Sequence, residues 1–197
     1  MIFDLGNVII DWNPRHLYRQ LFADDEEAME RFLAEVTTPA WNRALDGGRS
    51  FAEAIAELQR EHPQHHDLIA AYWHRWPEMI GEVNAETVAI ARELRSRGVR
   101  VFALSDWSVE TYPFIKDWLD GLQLFEDIQI SGEIGMTKAN PQAFRLGAQR
   151  FNIDPSKTIF IDDIAGNVDS ARAAGLTGIR FTTAEALRQE LIEVGLL

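Results

Sequence analysis

From about residue 85 onward, short runs of consecutive apolar residues alternate with stretches whose apolar residues repeat at helical spacing. A helix is predicted over about 85–97, ending at Gly98, and another helix opens at Pro141. The remaining apolar runs predict buried strands at 99–104, 127–130, 158–161 and 178–181. Because helices and strands alternate, this part of the chain is expected to form a parallel, doubly wound α/β sheet.

The beginning of the chain follows a different pattern. Residues 1–3 are apolar and run into Asp4, and Gly6-Asn7 then predicts a tight turn, so a short buried strand is expected here. Residues from about 14 to 80 show helical spacing and no strand pattern, with acidic residues at 24–27 before one helix and Ser50 as the predicted N-cap of another. We therefore predict an α/β core formed by residues 1–12 and 82–197, with an inserted helical cap at 13–81.

Polar groups follow three of the predicted strands. Asp4 ends the first strand, Ser105-Asp106 the second and Asp162-Asp163 a later one, while Lys138 lies in the loop before the helix at Pro141. The carboxyl ends of parallel strands meet at one edge of a sheet, so these side chains are expected to converge. Crowded carboxylates repel one another unless a cation lies among them, and ligands that are all oxygens favour Mg²⁺. A hydroxyl and a lysine add an anion-binding half, which suits phosphoryl transfer to an aspartate.

Each of these residues also has a simpler interpretation. Lys138 alone is typical of a solvated loop lysine, and Ser105 alone of a turn or helix cap. Asp162-Asp163 alone can cap the helix that follows. Asp106 is interpreted as a helix cap, with a role as a substitute catalytic acid near the substrate as the alternative. Only the combination, with each group at the end of a strand or in the adjoining loop, favours a functional site.

Composition narrows the class of protein. The chain has 197 residues, no cysteine and a net charge of −12, so disulfides and thiolate metal sites are excluded. The acidic balance argues against general binding to nucleic acid or to an anionic membrane. No apolar run is long enough to span a bilayer and no signal peptide is recognised, so a cytoplasmic protein, monomeric or homodimeric, is expected.

Four motifs in this order resemble the haloacid dehalogenase-like hydrolase superfamily, in the form with a helical (C1-type) cap inserted after the first motif. They are Phe3-Asp4-Leu5-Gly6-Asn7-Val8, Leu104-Ser105, Lys138 and Ile161-Asp162-Asp163, and together they span nearly the whole chain. The resemblance implies a Rossmann-like core, a Mg²⁺ cofactor and a small phosphorylated molecule as substrate.

The resemblance also implies roles for these residues. Asp4 corresponds to the nucleophile and one metal ligand, and the Gly6 carbonyl to a second ligand. Asp163 corresponds to a direct ligand of Mg²⁺, with Asp162 beside it or acting through water. Ser105 and Lys138 are expected to hold the phosphate. Asn167, one helical turn beyond Asp163, is a candidate for orienting the metal ligands.

One position departs from the usual pattern of the family. Most of its phosphatases carry a second aspartate two residues after the nucleophile as general acid and base, and here that residue is Gly6. The sequence resembles a sugar-phosphatase subgroup, similar to glucose-1-phosphatases, that also lacks this aspartate. Since such proton transfer typically contributes about 10²–10⁴-fold in rate, a slow enzyme or a different acid is implied. In the cap, Arg43 is a candidate contact for an anionic or hydroxylated substrate.

The leading functional hypothesis is a Mg²⁺-dependent phosphomonoesterase that acts on a small, sugar-like phosphate through an aspartyl-phosphate intermediate. A 2-haloacid dehalogenase is the alternative enzyme, since it uses the same aspartate without a metal. The pair Asp162-Asp163 favours the phosphatase, because extra negative charge does not help to bind a carboxylate substrate. A degenerate ligand-binding or signalling relative without activity is the third alternative.

Overall fold

The computed structural model describes residues 1–23 and 25–197, so Asp24 of the predicted acidic segment lies outside the described residues. The central sheet has five parallel strands: β1 Ile2–Phe3, β4 Phe102–Ser105, β5 Ile128–Ile130, β6 Ile159–Asp162 and β7 Thr177–Arg180. Their order across the sheet is β5-β4-β1-β6-β7. The predicted parallel α/β fold is confirmed.

The short strand β1 occupies the centre of the sheet. Ile2 pairs with Phe102 of β4 on one side and with Phe160 of β6 on the other. These apolar residues are fully buried, which explains why the strand is continuous in apolar character rather than alternating. The register brings the carboxyl ends of β1, β4 and β6 together, so the residues that follow these strands share one edge.

Helices lie on both faces of the sheet and in the insertion. Those after the insertion are α6 Ala85–Ser96, α7 Pro113–Leu122, α8 Ser131–Ile134, α9 Pro141–Arg150, α10 Ala165–Ala173 and α11 Ala184–Glu193. Those of the insertion are α1 Arg15–Phe22, α2 Glu26–Glu35, α3 Pro39–Asp46, α4 Phe51–Glu61 and α5 His66–His74. Within the described residues, no helix combines the length and apolarity needed to cross a membrane.

A second, two-stranded sheet lies where the insertion leaves and rejoins the core. Strand β2, Ile10–Trp12, pairs antiparallel with β3, Ile80–Val83. The expectation of helices alone up to residue 80 is wrong at this end, because α5 stops at His74 and a 3₁₀ turn over Trp76–Met79 leads into β3. Pro77 in that turn cannot continue an α-helix, which explains the early end. The division into core and cap at these borders stays a prediction.

The insertion packs directly on the core. The ring of Trp76 meets Trp107 at 5.6 Å and stacks on Phe114 at 5.8 Å between centroids. The N-terminus of α4 is also joined to the core, since the Phe51 amide donates to Oε1 of Glu110 at 2.9 Å. Ser50 occupies the N-cap position of α4, as predicted, but its side chain makes no capping hydrogen bond, and the Glu110 carboxylate accepts from the helix N-terminus instead.

Candidate active site

Asp4 lies directly beyond β1 and is almost completely buried. Its amide donates to the Ile161 carbonyl at 2.8 Å, which extends the sheet pairing to this residue. Three donors surround one carboxylate oxygen, Oδ1: the Leu5 amide, the Ser105 hydroxyl and the Lys138 ammonium group, each at 2.7 Å. The side chain is therefore held in one orientation, and the groups predicted to bind phosphate lie within hydrogen-bond distance of the predicted nucleophile.

Lys138 is the buried cation of the site. Its Nζ lies 2.7 Å from Asp4 Oδ1 and 2.6 Å from Asp162 Oδ2, and only 2% of the side chain is exposed. Burial by itself lowers the pKa of Lys138, but the charges of Asp4 and Asp162 outweigh it and raise the pKa overall. The ammonium group therefore stays charged, and the interpretation of Lys138 as a solvated loop lysine is wrong.

Asp162 and Asp163, adjacent in sequence, have different environments. Asp162 is fully buried, and its oxygens accept from the Ile164 amide, from the Asn167 amide group and from Lys138. Asp163 is only partly buried, and burial followed by the charge of Asp162 raises its pKa. Because the oxygens of Asp162 already have donors, Asp163 is the better placed of the two for a direct metal bond.

A divalent cation fits the donor set. Asp4, Asp162 and Asp163 each offer a carboxylate oxygen, and these atoms all lie within 4.8 Å of one another. Lys138 is the one cation among them in the described part of the chain, so the cluster carries excess negative charge. Burial accordingly raises the pKa of Asp4 to about 8 despite the opposing charge of Lys138. Oxygen-only ligands of this kind suit Mg²⁺, with the Gly6 carbonyl as the further donor implied by the sequence.

The predicted turn after Asp4 is formed with a left-handed backbone at Asn7, whose φ is 58°, whereas Gly6 has no positive φ. A Cβ built at Gly6 would meet no atom within 4 Å. The missing carboxylate at this position is therefore a chemical difference and not one imposed by space.

A cavity of about 550 Å³ lies over this cluster and extends into the insertion. Arg43 of α3 is exposed and lines this cavity. Burial raises the pKa of Asp106, which lines the same cavity, and the charges of Lys138 and Arg43 oppose that rise. The prediction that Asp106 caps a helix is wrong: α7 begins only at Pro113, and Asp106 Oδ1 accepts from the Lys138 amide at 2.8 Å. Asp106 therefore holds the loop that carries Lys138.

Sequence reasoning missed Asp46, the last residue of α3, which also lines the cavity. Asn42, one turn earlier, donates from Nδ2 to Asp46 Oδ2 at 2.9 Å. Burial, followed by the negative charge of Asp106, raises the pKa of Asp46 well above its usual range. The spacing of Asn42, Arg43 and Asp46 on one helix before a glycine turn was the available signal, but it does not reveal which face meets the core.

A model of haloacid dehalogenase-like hydrolases matches residues 1–175. The chain belongs to the haloacid dehalogenase-like hydrolase family. Sequence relatives of this hydrolase include the sesquiterpene phosphatase astK of Aspergillus oryzae, 23% identical over 96% of this chain and 93% of the relative. Another is a glyceraldehyde 3-phosphate phosphatase of Methanopyrus kandleri, 24% identical over 67% of this chain and 64% of the relative.

Among solved structures, the hydrolase is similar to a haloacid dehalogenase family enzyme, BT-2542 of Bacteroides thetaiotaomicron, in complex with magnesium and inorganic phosphate. The TM-score is 0.66 and the identity 19%, over 92% of this chain and 93% of the other. This likeness shows the fold of the hydrolase. The family resemblance drawn from the four motifs is confirmed, whereas the sugar-phosphatase subgroup and the cap type stay predictions.

Proposed function

We propose that this hydrolase cleaves phosphomonoesters with Asp4 as the nucleophile and Mg²⁺ as the cofactor. The observation that carries the proposal is the convergence on Asp4 Oδ1 of a backbone amide, the Ser105 hydroxyl and the Lys138 ammonium group. Donors in this arrangement orient a carboxylate for attack and can bind the oxygens of a phosphoryl group. The phosphatase names of two relatives support the same reaction.

In this mechanism Asp4 attacks phosphorus, the bond to the leaving oxygen breaks, and an aspartyl phosphate forms. Lys138 and Ser105 neutralise and orient the phosphoryl oxygens, while Asp106 keeps the Lys138 loop in place. Asn167 and the Ile164 amide hold Asp162. Mg²⁺ bound by Asp4, Asp163 and the Gly6 carbonyl, with Asp162 nearby, would supply further neutralisation of phosphate charge. Water then hydrolyses the aspartyl phosphate and regenerates Asp4.

For the leaving group, we propose a small alcohol that is recognised by the cap at 13–81. Asn42 and Arg43 give the cavity hydrogen-bonding groups that suit a sugar phosphate. The same cavity is lined by Trp12, Leu33 and other apolar residues, which favour an apolar alcohol as the second candidate. The name of the Aspergillus relative supports that second candidate.

The test is release of phosphate from hexose phosphates, isoprenoid phosphates and an aryl phosphate, and of halide from 2-haloacids, each with Mg²⁺ and with chelator. We expect phosphate release that requires Mg²⁺ and no halide release. Asp4→Asn removes the nucleophile with little change of shape, so it should abolish turnover while the far-ultraviolet circular dichroism stays unchanged. Halide release without phosphatase activity, full activity in chelator, or substantial activity of Asp4→Asn would each contradict the proposal.

A further inference from the structure

The mechanism needs a proton for the leaving oxygen, and Gly6 does not provide one. Besides the groups at the ends of β1 and β6, the carboxyl groups that line the cavity are those of Glu30, Asp46 and Asp106. Glu30 is paired with Arg15 at 2.5 and 2.6 Å, and Asp106 accepts from the Lys138 amide. We propose that Asp46, carried by the cap, is the general acid that protonates the leaving group and the base that later activates water. This inference rests on the proposed phosphatase function.

The end of α3 is held against the core at the position this role requires. The Ser131 hydroxyl donates to the Asp46 carbonyl at 2.6 Å, and the same hydroxyl accepts from the Trp107 amide at 2.8 Å. The next residue, Gly47, is close enough that a Cβ built on it would lie 3.8 Å from Cγ2 of Thr137. Asp46 is therefore bonded to Ser131 of α8 and through it to Trp107 in the loop after β4, and the residue after Asp46 lies near Thr137, which precedes Lys138.

The carboxyl group of Asp46 is also oriented. The Tyr72 hydroxyl donates to Oδ1 of Asn42 at 2.7 Å, which directs the amide N–H of Asn42 to Asp46 Oδ2 at 2.9 Å. The other oxygen, Oδ1, has no side-chain partner among the described residues. Tyr72 and Asn42 thus act as positioning residues, and they engage only one oxygen of Asp46, a residue that lines the cavity. The Ser108 backbone is the other hydrogen-bonding group that faces this carboxyl group.

The surroundings of Asp46 favour its protonated form. The groups that face it are Asp106 and the backbone of Ser108 from the loop after β4, Lys138 from the loop before α9, and Asp4 from the end of β1. From the cap itself, Tyr72 faces it. Burial and the two carboxylates oppose ionisation, whereas Lys138 and the Ser108 backbone favour it, and the balance raises the pKa of Asp46. Its place at the carboxyl end of α3 acts in the same direction, because the helix dipole disfavours an anion there.

Asp106 and Asp46 are neighbouring carboxyl groups whose environments favour different protonation states. Burial raises the pKa of Asp106, but the Lys138 amide and the positive charges of Lys138 and Arg43 oppose that rise and favour its ionised form. Asp46 accepts from the Asn42 amide and the Ser108 backbone, but it lies at a helix terminus that disfavours charge, and burial followed by the charge of Asp106 raises its pKa well above the usual range. When two carboxyl groups interact, the one in the less stabilising environment keeps the proton. That group is Asp46.

Both steps of the reaction balance with this assignment. As Asp4 bonds to phosphorus, the bond from phosphorus to the ester oxygen breaks and that oxygen takes the proton of Asp46, which releases the free alcohol. Asp46 is then ionised and accepts a proton from water. The hydroxide formed in this way attacks phosphorus, the bond to Asp4 breaks, and inorganic phosphate leaves with Asp46 protonated again.

The experiment compares kcat/KM for an alkyl and an aryl phosphate, because kcat/KM reports the step in which the leaving group departs. Asp46→Asn should lower the value for the alkyl ester by about 10²-fold and that for the aryl ester, whose leaving group needs little protonation, by less than about 5-fold. It should also remove the decline of alkyl-ester activity toward high pH that the wild type shows when Asp46 ionises. Glu30→Gln is the matched control, since it makes the same change in the same cavity and should affect both esters by one factor.

Equal losses on both esters, or none, would overturn the proposal, and so would a pH profile unchanged by Asp46→Asn. If the variant does not fold, kcat/KM of the wild type is measured for a series of esters whose leaving groups differ in pKa. Protonation of the leaving group predicts a shallow dependence of kcat/KM on that pKa, and a steep dependence would refute it. Failure of the proposed function is distinguishable, because the wild type would then release phosphate from none of the esters.

Discussion

Introducing a carboxyl group at Gly6 gives a direct test of where the proton comes from. Gly6→Asp places the carboxyl group two residues after Asp4, where most family phosphatases have it. The backbone there needs no left-handed conformation, and a Cβ meets no atom within 4 Å, so neither strain nor crowding opposes the change. The metal ligand expected at this position is the carbonyl, which the substitution keeps.

The size of the effect depends on two free energies, the gain from general acid catalysis and the cost of added negative charge. General acid catalysis worth about 10²-fold corresponds to about 2.7 kcal/mol. An ionised carboxylate about 6 Å from another unit negative charge costs about 3 kcal/mol at an effective dielectric constant of about 20. The repulsion therefore cancels the gain whenever the new carboxyl group is ionised, and only its protonated form accelerates the reaction. In a variant that lacks its natural proton donor, we expect Gly6→Asp to restore activity in part, by about 10-fold on an alkyl phosphate.

Comparing the effect of Gly6→Asp in the wild type and in the Asp46→Asn variant identifies the group that protonates the leaving oxygen in the natural enzyme. If Asp46 already protonates the leaving group, Gly6→Asp should add less than about 3-fold in the wild type but about 10-fold in the Asp46→Asn variant. The assay is kcat/KM for an alkyl and an aryl phosphate in the wild type, both single variants and the double variant, which form a double-mutant cycle. The same gain in both backgrounds would show that the two positions act independently, and Asp46 would lose its assigned role.

Two further substitutions test the remaining parts of the site. Lys138→Ala leaves Asp4 and Asp162 buried without their shared cation, so it should lower kcat for phosphate release by more than about 10³-fold. It should also destabilise the metal-free protein by about 3–5 kcal/mol in urea unfolding. Near-normal kinetics would show that Lys138 does not act in the site. Arg43→Ala should change the ranking of substrates in kcat/KM more than the rate on a small aryl phosphate, because Arg43 lies in the cavity wall and is exposed; equal losses on every substrate would indicate a structural role.

The sequence was most informative where a residue's position along the chain determines its position in space. Asp4, Ser105 and Asp162 each end a strand, and a parallel sheet necessarily brings such ends to one edge. Their convergence therefore needed only the strand assignments to be right. Lys138 is a loop residue, and its role in the site was predicted from the resemblance to a family, because hydrophobic periodicity does not locate loop residues.

Sequence reasoning failed where a side chain chooses a partner far away in the chain. Ser50 has the local pattern of an N-cap, yet Glu110 of the core satisfies the amide of Phe51. Asp106 likewise has a locally plausible capping role, but its partner is the Lys138 amide, 32 positions later in the chain. Local propensity cannot anticipate these contacts because the two partners meet only when distant parts of the chain pack together.

Asp46 was not predicted from the motifs because it, too, reaches the site through a contact between distant parts of the chain. A proton donor at position 6 would be fixed to the nucleophile by two residues of backbone, whereas Asp46 reaches the site through the packing of α3 on α8. The hydrogen bond from Ser131 to the Asp46 carbonyl is what makes that packing specific. With Asp46 as the acid, protonation of the leaving group depends on this contact between α3 and α8, whereas an acid at position 6 would not depend on it.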